Sequence, residues 1–342
     1  MSGKPRIGFL GLGWIGRMRM EALGASGIVE ISALCDPSGE CLREAAMIAP
    51  DARMVADLDE LLSLDLDGIV IATPSAMHAA QSIRCLEAGV AVFCQKPLGR
   101  NAPEVADVVA AARRADRLLG LDLSYRHTAA MQKIREELAN SRIGRLFSAD
   151  LVFHNAYGPD KPWFYDVSQS GGGCVVDLGV HLVDLMMWVT GFQKVTQVTS
   201  SLYAKGKRLG GNPDTVEDYA VSAFELADGT SCRLACSWGL SAGKDAEITA
   251  TFYGTNGALE MRNIDGSFFD FEAAVMHGTT REVLVVPPDE WGGKALIAWA
   301  EQLTRSRKFD ESAEEHVLTA GVLDRIYGRE EVAQPRLLAR AG

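Results

Sequence analysis

Residues 6–16, RIGFLGLGWIG, decide the fold. The run Arg6–Leu10 is short and apolar, as a strand buried on both faces of a parallel sheet should be. Glycines follow at Gly11, Gly13 and Gly16, and a helical pattern opens over residues 15–25. In a strand-to-helix turn Gly11 bends the chain, Gly13 lets a pyrophosphate approach, and Gly16 lets helix pack on strand. The helix N-terminus adds unpaired N–H groups and a partial positive charge. A second apolar run, 29–35, ends at Asp36, twenty residues beyond Gly16. A carboxylate there accepts the adenosine-ribose hydroxyls and repels a 2′-phosphate. Pro37 and Ser38 follow it rather than an arginine, so NAD is the expected cofactor and NADP is less favoured. The bland alternative is a glycine turn that binds no nucleotide.

Working outward, further buried strands are expected at 68–72, 91–94 and 118–121, with amphipathic helices at 40–48, 57–62, 76–88 and 103–115. Strict strand–helix alternation implies a doubly wound parallel sheet with right-handed crossovers. Ligands of such sheets lie beyond the carboxyl ends of the strands. Thr73-Pro74 and Gln95-Lys96-Pro97 end two of those strands and should border the cofactor. His78 is either a neighbour of the cofactor or a group that satisfies local backbone. Lys96 is either a solvated surface lysine or an ammonium that stabilises alkoxide character on a substrate oxygen.

Beyond about residue 122 the rhythm changes. A helix over 129–138 leads to a strand over 146–153, then a loop rich in glycine, proline and aromatics, then a helix over 175–189. Strand-like runs follow at 195–202, 218–226, 231–238, 246–253, 258–262, 268–271 and 283–286, with turn signals at residues 227–229 and 255–257. Helices over 294–304 and 314–327 come last. The expected class is α/β: a Rossmann domain over 1–123, then an α+β domain over 124–342 with a largely antiparallel sheet.

Asp177, His181, Asp184 and Trp188, at spacings of four, three and four, should share one helical stripe beside an apolar one of Val176, Val180, Val183 and Met187. Alcohol oxidation needs a base near neutral pKa at the hydroxyl, which suits His181, with Asp177 orienting the substrate. A buried structural pair is the competing reading, and Asp184 reads as structural. Metal ligation is disfavoured because no third ligand cluster is evident. Gly171-Gly172-Gly173 just upstream imply close approach to something polar.

Composition narrows the class. The net charge of -11 argues against nucleic acid. The seven cysteines form no Cys-x-x-Cys pair, and Cys35, Cys94, Cys232 and Cys236 read as buried thiols. Neither a signal peptide nor a run of some 20 apolar residues is evident, so no membrane partner and a cytoplasmic location are expected.

Together these residues resemble the Gfo/Idh/MocA family of glucose–fructose oxidoreductase, inositol dehydrogenase and the rhizopine-catabolism protein. The resemblance runs through Gly11-Leu12-Gly13-Trp14-Ile15-Gly16, Thr73-Pro74 to His78, Gln95-Lys96-Pro97, Tyr125-Arg126, Gly171 to His181 and Glu217-Asp218-Tyr219. It implies NAD held by the first segments, including Trp14 and Ile15, and a sugar- or polyol-like substrate that also meets Tyr125 and Arg126. It further implies joint action of Lys96, Asp177 and His181, and a homo-oligomer, dimer or tetramer, built through a large open mixed sheet. Gln95 departs from the family's more usual glutamate. Residues 161–166 carry Trp163 and Tyr165, which either wall a sugar pocket or anchor a loop. The expectation is hydride transfer between NAD and a secondary hydroxyl. Its rivals are an inactive nucleotide-binding sensor and a lyase or glycosidase that uses NAD without net oxidation.

Overall fold

A computed structural model describes residues 3–329. The chain divides into two compact units. The first runs to Ser124 and takes back Gly292–Val317; the second comprises Tyr125–Trp291 and resumes at Leu318.

The first unit holds a six-stranded parallel sheet ordered β3-β2-β1-β4-β5-β6, which is the Rossmann order. Its strands are β1 (Arg6–Leu10), β2 (Glu30–Cys35), β3 (Arg53–Val55), β4 (Gly68–Ile71), β5 (Ala91–Cys94) and β6 (Leu119–Leu121). The helices α1 (Trp14–Ser26), α2 (Gly39–Ile48), α3 (Leu58–Leu62), α4 (Ser75–Glu87) and α5 (Ala102–Ala115) alternate with them. Side chains cap three of these helices: Ser38, Asp57 and Asn101 each accept a first-turn N–H. β3 was not expected. It is a three-residue edge strand with two exposed side chains, too short to show a hydrophobic period.

The expected second domain, 124–342, needs a correction at 292–317, because that stretch belongs to the first unit. Its helix, Lys294–Arg305, buries Ala295, Leu296, Trp299, Ala300 and Leu303 among Phe9, Leu23, Val70 and Phe93 of the Rossmann core. The Trp299 indole packs on Phe93 and occupies the space a Cβ would need at Gly68 and Gly120. An amphipathic pattern reports that a helix has a buried face, not which sheet will cover it.

The second unit is built on a nine-stranded mixed sheet ordered β15-β14-β13-β12-β7-β11-β10-β8-β9. The strands are β7 (Leu146–Asn155), β8 (Val195–Ala204), β9 (Lys207–Arg208), β10 (Tyr219–Leu226), β11 (Ser231–Ser237), β12 (Ala246–Gly254), β13 (Gly257–Asn263), β14 (Phe271–His277) and β15 (Thr280–Val285). Only β7 and β11 pair parallel; the other pairs are antiparallel. The strand expected at 268–271 is displaced. Phe268 and Phe269 lie in a turn closed by the Ser267 hydroxyl, and the strand begins only at Phe271. Alternation along β10 and β11 sends Phe224, Cys232, Leu234 and Cys236 inward.

The expected helix over 175–189 is two structures, a π-helical turn over Val175–Gly179 and an α-helix over Val180–Val189. Against expectation, the run Val167–Val189 is long and apolar enough by composition to cross a bilayer; 89% of its most apolar stretch is buried, as in a core helix. The seven cysteines are free thiols, and all but Cys41 are buried.

Candidate active site

In the first unit the glycine turn does what its spacing implied. Gly11 has φ +91°, and a Cβ there would lie 2.5 Å from the Ala72 backbone. A Cβ at Gly16 would lie 2.3 Å from the Gly11 carbonyl oxygen, so both positions exclude side chains for internal reasons. Gly13 differs: a Cβ there meets nothing within 4 Å. Gly13 also caps α1 without a side-chain acceptor, so no capping side chain satisfies the first-turn N–H groups at Trp14, Ile15 and Gly16. That is a cradle fitted to an anionic diphosphate. Trp14 stands 64% exposed at its rim.

Asp36 is fixed by two backbone donors. Leu12 N–H donates to Oδ2 at 2.6 Å, and Ser38 N–H donates to Oδ1 at 2.8 Å. Each oxygen keeps a lone pair for a ribose hydroxyl. The residues present therefore fit NAD.

Thr73 and Lys96 follow β4 and β5, and His78 joins their segments. Its ring nitrogens lie 2.6 Å from the Pro97 carbonyl and 2.7 Å from the Thr73 carbonyl. His78 is 1% exposed, and burial pushes its pKa below the usual value, against the pull of the two carbonyls. Thr73 donates to Gln81 at 2.6 Å. Gln95 lies beside Lys96, and its buried Oε1 accepts no hydrogen bond from the described protein. Nearby, the buried pair of Arg19 and Asp122 (2.6 Å) ties α1 to the end of β6.

In the second unit Tyr125 is 7% exposed, and its ring centroid lies 4.7 Å from that of His181. Burial pushes the Tyr125 phenol well above its usual pKa, with the nearby Asp177 charge adding to the effect. Arg126 makes a two-pronged pair with Asp184, at 2.7 and 2.5 Å, and lies over the Phe192 ring. Burial raises the Asp184 pKa, and Arg126 opposes that rise.

The single stripe expected for 177, 181, 184 and 188 does not form as drawn. His181, Asp184 and Trp188 all face the segment that carries Tyr125, Arg126 and Arg135. Asp177 lies in the π turn, whose wider winding breaks the i, i+4 register. Its Oδ2 accepts the indole N–H of Trp238 at 3.0 Å instead. The residues that the glycine triplet approaches are internal. A Cβ at Gly172 would strike the Tyr327 hydroxyl, and one at Gly173 the Glu217 carbonyl. The Glu217 carboxylate accepts from Gly173 N–H, Val175 N–H and Tyr327 Oη, and burial pushes its pKa up.

Trp163 stacks on Phe164 at 3.8 Å, and Phe164 and Tyr165 both meet Trp238 edge-on. Tyr165 is 54% exposed, and its hydroxyl donates to the Pro159 carbonyl. Sequence reasoning missed Trp238 and Tyr327, and quoted Glu217 without giving it a role. All three act through contacts more than 40 residues away in the chain, for which no local spacing exists. Among the described residues no group of three or more His, Cys, Asp or Glu side chains could hold a metal.

Two family models match the chain. Residues 5–123 match the oxidoreductase family with an NAD-binding Rossmann fold, and residues 131–260 match the GFO/IDH/MocA C-terminal domain. The chain belongs to the Gfo/Idh/MocA family. It is an NAD-binding oxidoreductase of the dehydrogenase or reductase kind. It is 29% identical to 1,5-anhydro-D-fructose reductase of Ensifer adhaerens over 62% of each chain, less than two thirds of that relative. It is 28% identical to the rhizopine catabolism protein MocA of Rhizobium meliloti over 75% of this chain and 78% of the relative. Its fold is that of GenD2 from gentamicin A biosynthesis, solved with NAD: TM-score 0.80, 24% identity, 97% of both chains covered.

Proposed function

We propose that the protein transfers a hydride between NAD and a secondary hydroxyl of a small sugar- or polyol-like molecule. The observation that carries this is the π turn, which holds a partly buried carboxylate, Asp177, a few residues from a buried imidazole, His181, in a chain whose first unit has an open glycine cradle. NAD, when bound, supplies the hydride acceptor. His181 takes the hydroxyl proton, Asp177 orients the substrate through a hydroxyl, and Lys96 stabilises negative charge on the reacting oxygen. The aromatic band at Trp163, Phe164 and Tyr165 suits the C–H face of a sugar ring. The name of the Ensifer adhaerens relative, a reductase of an anhydro sugar, supports the substrate class. Asp36 supports NAD over NADP, since a 2′-phosphate would meet a carboxylate already held in place.

Sugars and polyols incubated with NAD or NADP, read by reduced-nicotinamide absorbance, test this directly. Oxidation with NAD is expected. Product formed without net change in absorbance would mean an elimination or glycoside cleavage. NAD binding without turnover of any substrate would mean a sensor. Lys96→Ala should lower kcat by roughly 100-fold, as for loss of one transition-state donor, and change the NAD Kd little. Near-normal turnover in that variant would remove Lys96 from the mechanism.

We further infer a homo-oligomer, dimer or tetramer, formed through the open face of the nine-stranded sheet. That face presents Thr199, Ser201, Val221 and Ala223 around a hollow of about 640 Å³. Sedimentation of a monomer at micromolar concentration would contradict it.

A further inference from the structure

We propose that Trp238 is a positioning residue for the reaction, acting through Asp177. The proposal rests on the hydride-transfer function above and assigns a role that no motif of the chain carries. Trp238 follows β11 directly and is 5% exposed. Its backbone is pinned on both sides: its own N–H donates to the Asp218 carbonyl at 2.7 Å, and the N–H of Gly239 donates to the Tyr157 carbonyl at 3.2 Å. A side chain so anchored has little freedom to redirect its N–H.

The indole Nε1–H donates to Asp177 Oδ2 at 3.0 Å. A donor on one carboxylate oxygen restricts how the group can turn, and so restricts how it can meet a substrate hydroxyl. The other side of Asp177 is fixed through the backbone. Glu217, next to Asp218 in sequence, receives the N–H groups of Gly173 and Val175, which lead into the π turn. Two consecutive residues therefore anchor both ends of the contact: Glu217 holds the segment that carries Asp177, and Asp218 holds the tryptophan that aims it. The same indole is the surface met edge-on by Phe164 (6.2 Å) and Tyr165 (5.8 Å). Displacement of the aromatic loop by a substrate would be felt at the Asp177 carboxylate through one ring.

The test has two readouts. The first is independent of substrate. The six tryptophans should give six indole N–H signals in a proton–nitrogen correlation spectrum. The one lost in Trp238→Phe is that of Trp238, and it should move upfield in Asp177→Ala. A signal that does not move overturns the proposal.

The second is kinetic and uses the most active sugar or polyol of the panel above. Trp238→Phe should lower kcat about tenfold, the equivalent of one charge-assisted hydrogen bond, and leave the NAD Kd unchanged. In an Asp177→Ala background it should cause no further loss. A packing role would leave kcat unchanged, or would lower it as much in the Asp177→Ala background as in the wild type; either result overturns the proposal. Trp238→Tyr, which keeps an aromatic ring but not the indole N–H, should behave like Trp238→Phe if the latter folds poorly. An impaired Asp177→Ala beside an unimpaired Trp238→Phe overturns the positioning role and leaves the proposed function standing. An unimpaired Asp177→Ala brings down the proposed function and the positioning role with it.

Discussion

His78 shows how far a single residue can be read before its partners are known. Its place on the first turn of a helix allowed two uses, and the structure shows both ring nitrogens against backbone carbonyls, those of Pro97 and Thr73, in the segments that follow β5 and β4. A neutral imidazole donates one N–H, so one of the two carbonyls is served only when the ring is protonated. Burial is the larger effect and keeps the folded-state pKa low. The unfolded chain therefore binds a proton first as pH falls. The stability contributed by neutral His78 is complete above about pH 6.5 and is lost as pH drops toward the lower folded-state value. Urea titrations at several pH values should show the wild type losing stability faster below that point than His78→Asn. Equal slopes would mean that the ring is not neutral when folded. The place of Lys96 just beyond β5 was legible from the strand pattern. The aim of Asp177 was not, because its partner Trp238 lies 61 positions away.

At the scale of elements, the strand–glycine–helix turn was legible: Gly11 and Gly16 answer to a geometry set within sixty or so residues. The turn also separates two kinds of glycine. Gly16→Ala should destabilise by about 1–3 kcal/mol, as overpacking does, because the added Cβ meets the Gly11 carbonyl. Gly13→Ala has room and extended-to-helical φ of -60°, so its melting temperature should stay near that of wild type. Its NAD affinity should fall about tenfold or more, the equivalent of losing a close phosphate contact. Calorimetry of both variants with and without NAD checks the pair, and the reverse pattern would dissociate the cradle from the cofactor. The π turn was illegible for the opposite reason. Asp177 and His181 are four apart, which an α-helix would stack, and no residue type announces an i→i+5 turn. The Glu217 carboxylate accepts the N–H groups at the start of the turn, and that contact spans more than 40 residues.

On the scale of the molecule, the kind of each sheet, parallel in the first unit and largely antiparallel in the second, follows from pattern, but the strand order and the path of the chain between units do not. The helix Lys294–Arg305 returns to the Rossmann core and places Trp299 over two glycines that have no side chain to fill the space. Trp299→Ala should therefore cost about 3–5 kcal/mol, the usual range for a large aromatic removed from a core, and lower the melting temperature even with NAD present. Retention of wild-type stability would mean that the return helix is dispensable. The Rossmann core thus includes residues translated some 280 positions after its first strand. During synthesis residues 5–123 emerge from the ribosome well before the helix Lys294–Arg305 that completes their core. A truncated message ending before Trp299 should yield a product that is cleared by proteases rather than a free-standing nucleotide binder.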